Sequence, residues 1–115
     1  MRDKPYQLYQ LKRDGANEAH RFVSYAGLKR LRLKVEPHRY RQVYTGQMDK
    51  GTSLTQLFNR FNNPCTIPSD YMARSLSVSD LIVTGGKVWY VDSFGFRDVT
   101  DEVGGIPLDT EEEEH

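Results

Sequence analysis

Residues Ser75 to Phe96 read S-L-S-V-S-D-L-I-V-T-G-G-K-V-W-Y-V-D-S-F-G-F. Two runs rich in β-branched and aromatic residues flank Gly85-Gly86, the pattern of a two-residue hairpin turn. Folding about that turn sets Thr84 against Lys87, Ile82 against Trp89 and Asp80 against Val91. Leu81 then opposes Tyr90, and Val83 opposes Val88. Both faces of this hairpin are apolar, which predicts a central place in a sheet covered on two sides. The strands are expected over about 78–84 and 87–96, with Gly95 as a bulge. In this register Ser79 opposes Asp92, and Ser77, Ser79, Asp80, Asp92 and Ser93 gather at the open end.

Tyr6 to Lys12 predicts a first strand that Asp14-Gly15 ends as a turn. Ser24 is placed to cap a short helix reaching about Leu31, with Leu28 and Leu31 inward. Arg30 to Val35 alternates with period two, so helix and extended readings compete there until Glu36-Pro37 breaks the segment. Tyr40 to Met48 predicts a second strand, in which Gly46 marks a bulge or a close backbone approach. The clearest helix follows Ser53. Leu54, Leu57, Phe58 and Phe61 fall on one face, and Ser53 with Gln56 matches a capping box. Asn62-Asn63-Pro64 stops it, and Cys65 to Arg74 connects to the hairpin. Val99 to Val103 is a final short segment.

A chain of 115 residues fits one domain with a real core. Hydrophobic residues make up 37%, below the usual ~45–50%, which implies a thin core with polar tails. The expected division is a domain over residues 1–103 and an acidic tail over 104–115. The block Glu111 to Glu114 should stay solvated. Residues 1–44 carry 11 Lys/Arg against 4 Asp/Glu, whereas 45–115 carry 5 against 12. This segregation is read first as halves that screen each other in the fold, and second as a basic face for an anionic partner. Cys65 is the single cysteine, so no internal disulfide forms. The start has no apolar signal core, and no run is long enough to cross a bilayer. A cytoplasmic, non-membrane protein is expected.

Four stretches resemble the YodL-like domain, a small bacterial family. They are F-V-S-Y near Phe22, V-Y-T-G near Val43, T-S-L-T-Q-L-F-N-R-F-N at 52–62, and R-S-L-S-V-S-D-L-I-V with W-Y-V-D-S-F-G-F at 74–96. Pro68-Ser69-Asp70-Tyr71 keeps part of a further family pattern, with Ser69 in place of an acid. The resemblance implies a domain often set within large multi-domain proteins of conjugative and phage-like elements. It also implies kinship with a stand-alone member associated with the bacterial actin-like cytoskeleton. It brings no catalytic residues to carry over, and the acidic tail, which lies outside it, reads as a linker from a longer chain.

The Ser/Asp cluster at the hairpin end is the one polar group that folding would concentrate. Ser and Asp at a strand entry commonly tie down backbone donors, so an architectural role comes first. A partner-contact surface of Ser79, Asp80, Asp92, Ser93 and Phe94 comes next. A hydrolase or nuclease using Asp80 and Asp92 ranks third, because no nucleophile elbow or oxyanion loop accompanies them. A second candidate surface is the basic stretch Lys29, Arg30, Arg32, Lys34, Arg39 and Arg41, interleaved with Tyr40 and Tyr44. Cations beside aromatics suit nucleic acid, although no helix-turn-helix or zinc motif supports it. Gly85-Gly86 precedes a strand, so it is a turn and not a phosphate loop. His20 and His38 lack metal-ligand spacing. Cys65 is expected as a small buried side chain.

These readings converge on one α+β domain, with two short helices packed on a mixed or antiparallel sheet around the C-terminal hairpin. The expected function is a non-catalytic protein-interaction module with an unidentified protein partner, no cofactor and no metal. The alternative is a nucleic-acid-associated accessory factor in mobile-element transfer.

Overall fold

The computed structural model describes residues 3–13 and 15–104. Among these residues the elements run β1 (Asp3–Leu11), a 3-10 turn (Gly15–His20), α1 (Tyr25–Arg30), a second 3-10 turn (Pro37–Arg39) and β2 (Tyr40–Asp49). Then come α2 (Leu54–Arg60), β3 (Leu81–Thr84), β4 (Lys87–Val91) and β5 (Phe96–Asp98). The five strands form one sheet in the order β2-β1-β3-β4-β5, and each neighbouring pair is antiparallel. The fold is therefore α+β, with β3 at its centre. The expected tail lies outside the described residues, apart from Gly104, as does Asp14 of the Asp14-Gly15 turn.

The hairpin has the register read from its sequence: Leu81 faces Tyr90, Ile82 faces Trp89, Val83 faces Val88 and Thr84 faces Lys87. Gly85 and Gly86 have φ values of +64° and +77°. A side chain rarely tolerates that conformation, and a tight hairpin requires it at both central positions. The strands are shorter than expected. Ser77–Asp80 is a turn, with the Asp80 N–H donating to the Ser77 carbonyl at 3.1 Å. Asp92–Gly95 is a second turn, with Gly95 at φ +75°. Gly95 thus starts a reversal that sends Phe96–Asp98 back beside β4, instead of bulging a continuous strand.

Alternation divides the core into two apolar layers, one on each face of the sheet. One layer joins Tyr9, Leu11, Leu81, Val83, Val88 and Tyr90 to Leu28, Val35, Val99 and Val103. The other joins Tyr6, Leu8, Ile82 and Val91 to Leu57, Phe61, Tyr71 and Leu76. Burial on both faces is why β3 reads as an unbroken apolar run.

Both helices start where capping chemistry places them. The Ser24 hydroxyl accepts from the Gly27 N–H at 3.1 Å, and Ser53 and Gln56 form a reciprocal capping box before α2. Leu57 and Phe61 are buried, with Leu54 and Phe58 packed beside them. Leu28 is buried under α1, but Leu31 is exposed, correcting its inward assignment. The helix ends at Arg30, and with Arg32 at φ +60° the chain turns away directly after Leu31. Beyond it, Leu33 and Val35 still pack inward while Lys34 faces out, although no partner strand pairs with them.

Gly46 is a close approach and not a bulge. A Cβ there would lie 2.7 Å from the Tyr6 hydroxyl oxygen, and the register shift between β1 and β2 falls at Leu8/Tyr9 instead. Tyr6 belongs to an aromatic cluster with Tyr44, Phe61 and Tyr71, in which Phe61 and Tyr71 meet edge-on at 4.8 Å. Cys65 is exposed, which overturns its expected burial. Its N–H is held by the Asn63 side chain at 2.8 Å in a surface turn, with no core beneath to cover the thiol.

Candidate functional site

The antiparallel order places the C-termini of β1 and β4 and the N-termini of β2 and β3 at one end of the sheet. The Ser/Asp residues of the hairpin lie at that end, each committed to its own partners. Asp80 is fully buried. Its Oδ1 accepts from Arg74 Nη2 at 2.8 Å. Its Oδ2 accepts from the Ser77 N–H at 2.9 Å, Gln10 Nε2 at 3.2 Å and Arg74 Nη1 at 3.2 Å. Burial holds this carboxyl up at about 6, and the bonds from Arg74, Ser77 and Gln10 only partly offset that desolvation. Arg74 Nη1 also donates to Ser77 Oγ at 2.7 Å, so the ion pair closes the loop 74–80 on itself, and Gln10 ties that loop to β1.

Ser79 sits at φ +90° and is also fully buried. Its N–H donates to the Val91 carbonyl at 2.9 Å, so Ser79 shares Val91 with Asp80 and does not face Asp92. The Tyr40 hydroxyl donates to its carbonyl at 2.7 Å, and its Oγ accepts from the Phe22 N–H at 3.2 Å. Phe22 also has positive φ, +62°. Two residues in an uncommon backbone conformation thus hold each other across the chain.

Asp92 Oδ1 accepts from the Tyr25 N–H at 3.0 Å and the Ser93 N–H at 2.8 Å. Its first bond supplies an acceptor to the opening turn of α1, beside the Ser24 cap. Asp80 and Asp92 share no hydrogen-bond partner among the described residues. Beyond Asp92 the turn presents Ser93 and Phe94 to solvent, and Phe94 is 94% exposed.

The basic stretch does not form one surface. Arg39 pairs with Glu36 at 2.6 Å and donates to Asn17 Oδ1 at 2.9 Å, which ties the two 3-10 turns together. That bond from Arg39 pulls the Glu36 carboxyl below its ordinary range. Lys29 lies 5.0 Å from the Tyr25 ring centre. Arg30, Arg32 and Lys34 are exposed at and after the C-terminal end of α1. Arg41 stands apart from them on β2, where it lines a depression with Arg13, Arg21 and Arg74. Sequence reasoning missed that grouping. Arg13, Arg21 and Arg74 lie far apart along the chain, and the one local hint was Arg74 at the head of R-S-L-S-V-S-D. Among the described residues no three or more of His, Cys, Asp and Glu are grouped to hold a metal. No helix there is long and apolar enough to cross a membrane.

The capped α2, the Arg74–Asp80 loop and the Asp92–Gly95 turn all fall in the stretches that carry the resemblance. The YodL-like domain matches residues 5–101, and the chain belongs to that family. No curated protein and no solved structure matches it.

Proposed function

We propose that this domain is a non-catalytic protein-interaction module of a bacterial or mobile-element protein working in the cytoplasm, and that Phe94 with Ser93 is its contact point. The observation that carries this reading is the division of labour at the hairpin end. Ser79, Asp80 and Asp92 spend their polar groups on internal bonds, while the turn they support holds a bare phenyl ring in water. That turn is fixed by the Asp92 N–H bond to the Gly95 carbonyl at 3.1 Å and by Asp92 Oδ1 on Ser93. A rigid exposed aromatic suits an interface anchor, because little ordering entropy is lost when it docks. The separate partners of Asp80 and Asp92 favour binding over hydrolysis.

The test is affinity capture from bacterial lysate with wild type and Phe94→Ala side by side. A partner captured by wild type and lost from a Phe94→Ala protein of unchanged thermal stability is the expected result. Equal capture by both proteins would overturn the assignment.

A further inference from the structure

Arg13, Arg21, Arg41 and Arg74 line one open groove, made of two adjoining depressions of about 490 and 160 Å3 that share Arg13, Arg21 and Arg74. The arginines come from four separate segments, so only the fold gathers them. Two carboxylates answer them. Glu18 lies 4.0 Å from Arg21, and the buried Asp80 holds Arg74. Arg13 and Arg41 lack a carboxylate partner among the described residues, and an anion relieves the mutual repulsion of the four guanidiniums.

The side chains between the arginines narrow the choice of anion. Guanidinium forks match phosphate oxygens. Phe22 on the groove wall is 56% exposed, and the Ser79 bond fixes its backbone in the positive-φ conformation. Arg74 lies over the Phe22 ring at 5.4 Å from its centre, which steadies the ring from one side. Met72, 90% exposed, lines the smaller depression. Aromatic faces beside arginines in an open track are the means by which proteins hold unpaired bases without reading sequence. An acidic peptide would use the charges and leave the ring without a role.

The geometry points to a binding groove for single-stranded nucleic acid, in which Arg13 and Arg41 meet phosphates and Phe22 stacks on a base. Arg21 and Arg74 are positioning residues, since the Arg21 guanidinium already holds Glu18 and the Lys12 carbonyl and that of Arg74 is bonded to Asp80 and Ser77. This site uses none of the residues assigned to protein contact, so either assignment stands or falls alone.

Fluorescence anisotropy of a labelled oligothymidylate with the full chain tests it, at about 50 and 200 mM salt. Binding is expected at the lower salt and steep weakening at the higher. The Arg13→Gln/Arg41→Gln double variant should bind about tenfold more weakly. The slope of log affinity against log salt should flatten by about 1.4, or about 0.7 for each lost phosphate contact. Phe22→Ala should weaken single-strand binding at least about fivefold, while Phe22→Tyr binds as wild type. Arg30→Gln/Arg32→Gln should change nothing. No anisotropy change at low salt overturns the proposal, as does undiminished binding by Arg13→Gln/Arg41→Gln. Preference for duplex of equal length also overturns it. Displacement by polyglutamate as effective as by unlabelled oligothymidylate reassigns the groove to an acidic protein segment.

Discussion

Asp92 caps helix α1 from 67 residues away, accepting the Tyr25 N–H at 3.0 Å. Ser24 satisfies the Gly27 N–H of the same turn, so local and distant acceptors share the free donors of one short helix. Six residues make a marginal helix in isolation, and the hairpin is part of what holds this one. Asp92→Ala should lower stability by about 1 kcal/mol, the usual cost of a lost cap. Asp92→Asn keeps an acceptor oxygen and should stay close to wild type. Urea denaturation midpoints of the two variants check this.

Asp80 gives a pH dependence of defined sign. Its pKa rises from 3.8 to about 6 on folding, so the folded state holds the proton more tightly than the unfolded chain. Its contribution to stability is therefore full below the unfolded value and is lost as pH rises through the folded one. Carbon NMR of the Asp80 carboxyl should titrate near pH 6, and the Ser77 amide should move with it. Asp80→Ala should cost about 3 kcal/mol at neutral pH, near the low end for breaking a buried pair, because Arg74, 25% exposed, regains some water. The added cost of Arg74→Ala in that background should be small.

His20 titrates with the opposite sign. It is buried, and neither ring nitrogen has a hydrogen-bond partner among the described residues. Burial and, secondarily, the nearby Arg39 charge hold its pKa below the ordinary 6.5, so folding favours the neutral ring. The stability it contributes is present above that unfolded value and is lost as pH falls through the folded one. His20→Met should show a smaller loss of stability than wild type on acidification below about pH 6.5. Thermal melts across that range distinguish the two.

Gly46→Ala should destabilise by about 1–3 kcal/mol, because its Cβ would press into a buried tyrosine ring with aromatic neighbours on several sides. The nearest atoms are the Tyr6 hydroxyl oxygen at 2.7 Å and Cζ at 2.9 Å. Tyr6→Phe removes the first, so the double variant should cost less than the two singles added together. A double-mutant cycle in urea measures that coupling.

Cys65 should react fully with an aromatic disulfide reagent in the native protein, without denaturant, because its thiol is exposed. A reaction that waits for unfolding would contradict the surface turn that holds it.

Most of the fold was legible because its signals are local. The Gly85-Gly86 pivot, the apolar runs on either side of it and the Ser53/Gln56 box each lie within a few residues, and each fixed an element or a register. Leu31 and Cys65 were misjudged because burial depends on what packs above a side chain. A backbone reversal at Arg32 and a turn at Asn63 decided it in these two cases. The site divides in the same way. The Ser/Asp cluster was found from the hairpin register, yet its members' partners were not, since Arg74, Gln10, Phe22 and Tyr25 come from other segments.

The local sequence settled the pairing of β3 with β4 and the starts of both helices, since hydrophobic period, caps and glycine turns act over one or two turns of backbone. Which polar groups are used up and which stay open was set by the packing of distant segments. It closed Asp80 and Asp92 into internal bonds and drew Arg13, Arg21, Arg41 and Arg74 to one groove. Coulombic attraction and desolvation depend on distance in space, and the order of residues along the chain does not encode that distance locally.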